Sequence, residues 1–173
     1  METVSPPITD DRLQQAYDYW RQIAAGRAMP ARKDLDPVDI PRLLPHVMLV
    51  EVERPGRFRY RLIGTAIAQE QGLNATGRYV GEAIQNPEYR AHGLMLYAQC
   101  VGEQRTVYSE SLFLSSGGAV ERHTKALFMP LSDDGRTVNR VFVAQVFLYL
   151  DRATRAQHFL QAHPFKNIVH VTL

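Results

Sequence analysis

Phe58-Arg59-Tyr60-Arg61-Leu62-Ile63-Gly64-Thr65 decides the reading of this chain. Phe58, Tyr60 and Leu62 alternate with Arg57, Arg59 and Arg61, which is the period of a strand with one buried face. Gly64-Thr65 ends that strand and opens a short helix over residues 66–72. Upstream, residues 46–53 read as a partner strand joined through Arg54-Pro55-Gly56. A hairpin that runs straight into a short helix is an uncommon way to begin a domain.

Downstream, residues 73–84 are punctuated by Gly77 and Gly81 and read as loop with helical turns. Asn86 as cap and Pro87 at the first position start a helix that runs to about residue 102. Its spacing places Ala91, Leu94, Ala98 and Val101 inward, with Tyr97 adjacent. Three strands follow, over 105–114, 119–130 and 139–150, turned at Ser115-Ser116-Gly117-Gly118 and at Asp133-Asp134-Gly135. Hairpin connections make the sheet antiparallel. Two strands before the helices and three after them do not alternate as a doubly wound fold would. The expected class is α+β: a five-stranded antiparallel sheet with helices on one face, plus an N-terminal helix.

That first helix is capped by Thr9 or Asp10 and runs to about residue 25, after a disordered lead-in over 1–7. Residues 27–45 carry Pro30, Pro37, Pro41 and Pro45, which break regular structure. The expected organisation is a helix and proline-rich cap over 1–45, a core over 46–150 and an extension over 151–173. In that extension, 155–162 read as helix and 167–173 as strand.

Composition narrows the function classes. At 173 residues the chain can bury a sizeable core. A net charge of +2 argues against a dedicated nucleic-acid or membrane-surface binder. No apolar run approaches the roughly 20 residues of a membrane span, and residues 1–7 lack the basic-then-apolar order of a secretory signal. The single cysteine, Cys100, forms no internal disulfide and fits a reducing cytoplasm.

The element order over roughly residues 45–150 resembles the PAS domain, in particular the single-PAS proteins of alphaproteobacteria. The residues that carry the resemblance are Tyr19-Trp20-Arg21, Gly26-Arg27-Ala28-Met29-Pro30-Ala31-Arg32, Asp36-Pro37 and Ile40-Pro41-Arg42-Leu43-Leu44-Pro45. They continue with the stretch from Phe58 to Thr65 and with Thr76-Gly77-Arg78, in that order. The resemblance implies a sheet cupped around a small cavity, an N-terminal helix that pairs two copies, and signalling rather than catalysis. The expected function is a sensory module, without an output domain of its own, that binds a small molecule, a signalling protein or both. A closed-core interaction adaptor is the alternative, and a small-molecule enzyme is a distant third.

No Gly-x-Ser-x-Gly elbow and no phosphate-binding glycine motif is present. The six histidines lack metal-site spacing and cysteine company. Since PAS domains can hold haem or flavin, His92 on the long helix deserves a test. Two residues from Leu94, it lies about 200° around from the apolar stripe and is expected to face solvent. The region before the long helix reads Gly77-Arg78-Tyr79-Val80, without the cysteine of flavin photochemistry. No cofactor is expected, and a preparation colourless above the protein band is the corresponding outcome.

Arg57 and Arg59 read as a solvated face, whereas Arg27, Arg32, Arg61 and Arg78 are expected to tie residues 27–45, with Asp34, Asp36 and Asp39, onto the core, with an acidic ligand or partner as the alternative. Trp20, Gly64, Thr65 and Gly77 belong to the same family pattern. A ligand pocket is expected from Tyr60, Leu62, Tyr97, Phe113, Thr124, Phe128, Gln145 and Phe147, with a fully packed core as the alternative. The first helix carries Leu13, Ala16, Tyr17, Trp20, Ile23 and Ala24 as one apolar stripe. A homodimer through Leu13, Tyr17 and Trp20 is the expected way to cover it, with packing on the chain's own sheet as the alternative.

Overall fold

A computed structural model of the chain describes residues 8–114, 120–149 and 165–173. The lead-in, the turn at 115–118 and the helix expected over 155–162 lie outside the described residues.

Helix α1 (Asp11–Ala24) begins where the Asp10 carboxylate accepts from the Arg12 and Leu13 amides. It ends where Ala25 and Gly26 both turn left-handed, at φ 50° and 82°. Arg27 then folds back and donates to Ala24 O, to Ile23 O and, at 2.7 Å, to Asp34. Those bonds satisfy carbonyls that the helix end leaves without partners. They also fix the 3₁₀ turn Arg32–Asp34. The Ala31 amide first, and Arg27 second, hold the Asp34 carboxyl below its usual range. Two further 3₁₀ turns, Pro37–Asp39 and Leu44–His46, lead to the sheet. Tyr19 staples this segment to α1, since its hydroxyl accepts from Asp36 N and donates to Asp36 O.

The strands are β1 (Val47–Arg54), β2 (Arg57–Ile63), β3 (Val107–Leu114), β4 (Val120–Leu131), β5 (Arg140–Tyr149) and β6 (Phe165–Thr172). They form one sheet in the order β2-β1-β5-β4-β3-β6, antiparallel in every pairing. The five-stranded core is present, and β6 adds a sixth strand along β3, from Val107 opposite Thr172 to Phe113 opposite Phe165. This covers an edge that β3 would otherwise expose. Thr172 binds back to the long helix α4 (Pro87–Glu103) through Gln99 and Glu103.

The long helix α4 lies on one face of the sheet, and the N-terminal helix α1 lies on the other. Along β4, Thr124, Ala126 and Phe128 face one way and Lys125, Leu127 and Met129 the other. On the first face Tyr97 of α4 meets the Phe128 ring edge-on at 4.9 Å, and Cys100 Sγ donates to Phe128 O. The second face belongs to α1. Trp20 Nε1 donates to Pro130 O at 2.9 Å, and Lys125 Nζ donates to Thr9 Oγ1 just before the helix. Leu13, Ala16, Tyr19, Trp20 and Ala24 are buried there, and Leu13 is 0% exposed. Tyr17 is half-buried and stacks parallel to Trp20.

The dimer expectation therefore loses its ground at this helix. Leu13 and Trp20 are spent inside their own chain, where an aliphatic side chain such as Leu13 contributes roughly 2 kcal/mol. The outward positions Gln15, Asp18, Arg21 and Gln22 are polar and exposed.

Helix α2 (Thr65–Gln71) follows β2 through Gly64, and the single turn α3 (Val80–Ala83) precedes α4. Gly64 has ordinary extended angles, φ −62° and ψ 150°, so backbone freedom is not what the position requires. A Cβ there would collide with the backbone of Leu44 and Pro45. The close approach is held by Gly64 N donating to Val47 O at 2.8 Å.

Two outcomes follow from this packing. Gly64→Ala, the smallest possible change, is expected to cost more than about 2 kcal/mol by forcing two backbones apart, and Gly64→Val more again. Denaturant midpoints measure this, and a Gly64→Ala midpoint equal to wild type would show that the Leu44–Pro45 approach is slack. Cys100 is the second case. It is fully buried, with its thiol pushed up by burial first and by Glu103 second. A thiol-specific reagent should label the native protein at least about 100-fold more slowly than the unfolded chain. Rapid stoichiometric labelling of the native protein would contradict the packing of α4.

Candidate functional site

The inner face of β3, β4 and β5 carries an unusual share of polar side chains. Ser109 and Ser111 on β3, Thr124 on β4 and Gln145 on β5 are all buried. Strand pairing sets Ser111 beside Thr124 and Ala126 beside Gln145. Across from them α4 presents Tyr89, His92, Gly93, Leu96 and Tyr97, and β2 supplies Tyr60. Asn86 caps α4 by accepting from Tyr89 N, which fixes the first turn over this face.

Two adjoining chambers lie between these layers. The inner one, about 30 Å³, is bounded by Tyr60, His92, Tyr97, Thr124, Phe128 and Gln145 among others. The outer one, about 80 Å³, opens past Leu73, Gln85, Asn86 and Phe113. Tyr60, Gln71, Ile84 and Tyr89 line both. Within the inner chamber His92 Nε2 sits 3.2 Å from Ser109 Oγ, and Gln145 Nε2 donates to Tyr89 Oη at 3.3 Å. Thr124 is 3% exposed, and among the described residues its Oγ1 has no hydrogen-bond partner. Burial raises the phenols of Tyr60 and Tyr97 well above the ordinary tyrosine range. Beside the chambers, burial lowers Arg122 to about 10, against the raising effects of Tyr89 and Glu70. Its guanidinium lies 4.0 Å from the Phe113 ring centre and 5.1 Å from that of Phe147.

Of the residues expected in a pocket, Tyr60, Tyr97, Thr124, Phe128 and Gln145 meet at the inner chamber and Phe113 at the outer one. Phe147 packs with Arg122 and lines neither. Leu62 is a correction, because it is 41% exposed on the opposite side of the strand. Leu49 pairs with Leu62 but Val50 pairs with Tyr60, so Arg61 is an extra, bulged residue. One inserted residue reverses every side chain beyond it.

His92 is the second correction. It faces the chamber rather than solvent, because the inward face of α4 is Gly93, Leu96, Tyr97 and Cys100. Ala91 and Ala98, expected inward, are exposed. The geometric argument against haem therefore falls. A tetrapyrrole nevertheless does not fit, since chambers of about 30 and 80 Å³ are far below the several hundred Å³, on the order of a drug-sized pocket, that it would fill.

The arginines also sort differently from expectation. Arg61 pairs with Glu51, at 2.6 Å through Nε, and not with the proline-rich segment. Arg57 and Arg59 clasp the ring of Tyr79, at 3.7 and 4.8 Å, rather than standing free in solvent. Tyr79 Oη in turn donates to Glu53. Arg32 holds that segment partly by its backbone, its amide donating to Asp133, and partly by its side chain, which reaches Leu35 O. Gly77 and Arg78 act through main chain, Gly77 N donating to Tyr60 O and Arg78 O accepting from Tyr60 N. Thr65 begins α2. Tyr89, Ser109 and Ser111 went unread in sequence. The serines share the period-two face of Phe113, so the strand pattern alone marks them.

Among the described residues there is no group of three or more His, Cys, Asp or Glu able to hold a metal, and no helix long and apolar enough to cross a membrane. No curated protein matches the chain. Solved structures do. The PAS domain of Bordetella pertussis BvgS is 17% identical at a TM-score of 0.48, over 67% of this chain and 85% of that one. The Vibrio cholerae VqmA dimer is 13% identical at 0.47, over 64% and 49%. A variant of the fungal photoreceptor Vivid is 16% identical at 0.46, over 86% and 100%. These are likenesses of fold only. The PAS domain family itself matches residues 8–144, from just before α1 into β5. With most of its length matched, the chain belongs to the PAS domain family.

Proposed function

We propose that this protein is a sensory module that binds a small molecule in the chambers between α4 and the sheet and signals by contact with a partner protein rather than by catalysis. The observation that carries this is Thr124. A buried hydroxyl with no partner costs free energy unless something outside the chain meets it. Around it, apolar walls and a few convergent polar tips are what a small-ligand site requires. A closed-core adaptor would have no use for Thr124 and Gln145 on that face.

The response has a physical route. Tyr89, His92 and Tyr97 put α4 against the ligand, and Gln99 and Glu103 put the same helix against Thr172 of β6. A ligand that shifts α4 therefore bears on the C-terminal strand, where a partner can read it. The buried free thiol of Cys100 fits work in a reducing compartment such as the cytoplasm.

Ala126 lines the inner chamber, and Ala126→Leu should fill it without removing a core contact. Native mass spectrometry of the freshly purified protein, together with thermal shift against a metabolite library, is the direct measurement. Wild type is expected to show a retained mass or a compound that raises its melting temperature by mass action. The folded Ala126→Leu variant is expected to show neither. A wild type with no added mass and no stabilising compound, or a variant that binds as well as wild type, would remove the ligand-binding reading.

A further inference from the structure

The charge of the chamber walls says more than that something binds. Among the described residues, those lining the two chambers include no aspartate, glutamate, lysine or arginine. His92 is the one imidazole among those residues. Two guanidiniums stand behind the walls: Arg122 is packed against Phe113 and Phe147 under the opposing influence of Glu70, and Arg90 reaches Ile84 O. An ion placed in the chamber would meet no opposite charge on the walls that touch it, and burying a charge without a contacting partner costs far more than hydrogen bonds return. The chamber's own phenols report the same penalty, since burial pushes Tyr60 and Tyr97 toward their uncharged form.

The polar tips are also specific in kind. Gln145 turns its amide nitrogen to Tyr89, which leaves its carbonyl oxygen as an acceptor. Thr124 Oγ1 is a hydroxyl with no hydrogen-bond partner among the described residues. The two stand on neighbouring strands one pleat apart, since Thr124 pairs with Phe147 and Ala126 with Gln145. One acceptor and one hydroxyl at that separation fit a group that carries a donor beside an acceptor.

Resting on the ligand-binding reading above, we infer that the chamber selects an uncharged small molecule of carboxamide or lactam type, its N–H meeting Gln145 Oε1 and its carbonyl accepting from Thr124 Oγ1. Carboxylates and amines of the same shape are excluded by the missing counter-charge.

The test uses isosteric triples: benzamide with benzoate and benzamidine, and acetamide with acetate and acetamidine. Binding is measured by calorimetry and thermal shift at about pH 8, where an ordinary imidazole is neutral. At least one amide is expected to bind about tenfold or more tighter than both of its charged partners. Thr124→Val is expected to weaken it by about tenfold, the loss of one hydrogen bond. Ala126→Leu is expected to abolish it, which locates the binding in the chamber. A charged isostere that binds as tightly as its amide, and is lost in Ala126→Leu, would overturn the ligand class while leaving an occupied chamber. The same follows if the amides fail and a retained native ligand proves to be charged. Failure of every probe, with no retained native ligand, would overturn both the class and the ligand-binding reading.

Discussion

Every second residue of β4 belongs to a different layer, and the arrangement of the protein depends on that alternation. Leu127 and Met129 sit with α1 on one side, and Thr124, Ala126 and Phe128 sit with α4 and the chambers on the other. The strand has no solvent face to relax into. A one-residue slip would place Lys125 in the chamber and Thr124 beneath α1, so register is strongly specified. Trp20 enforces it from the far side through a bond to the β4 backbone at Pro130, and Cys100 from the near side through a bond at Phe128.

Within that frame, the inner face gives up packing to hold hydroxyls and an amide. A core optimised for stability would set aliphatic residues where Ser109, Ser111, Thr124 and Gln145 stand. Two of the four find a partner in the chain's own terms: Ser109 with His92 and Gln145 with Tyr89. Thr124 does not, and it lies where the wall of the inner chamber has space next to it. The unmet hydroxyl and the space together make the argument; either one alone would pass as ordinary imperfection.

The fold was legible in the sequence because its strands alternate and its turns carry Gly, Asn and Asp where geometry demands them. Residues 57–63 show this best, and they also show the limit. The bulge at Arg61 leaves no mark in composition, yet it sends Leu62 outward. The long helix misled for a different reason. Its inward face includes His92 and two tyrosines, whereas aliphatic spacing alone points to Ala91, Leu94 and Ala98. Polar residues are inward because the chamber is polar, and that becomes visible only when α4 and the sheet are set together. Helix α1 read correctly as amphipathic, but its apolar stripe says only that something covers it. The sheet's second face does so, and chain order alone did not reveal that face as free.

The central claim is that the space beside Thr124 is a binding site rather than a packing fault. A crystal structure at a resolution that separates single atoms would decide it most directly. The account predicts non-protein density larger than one water between Thr124 and Gln145, within hydrogen-bond distance of Thr124 Oγ1. A closed wall, with Thr124 Oγ1 bonded to a neighbouring strand and no density between it and Gln145, would contradict it.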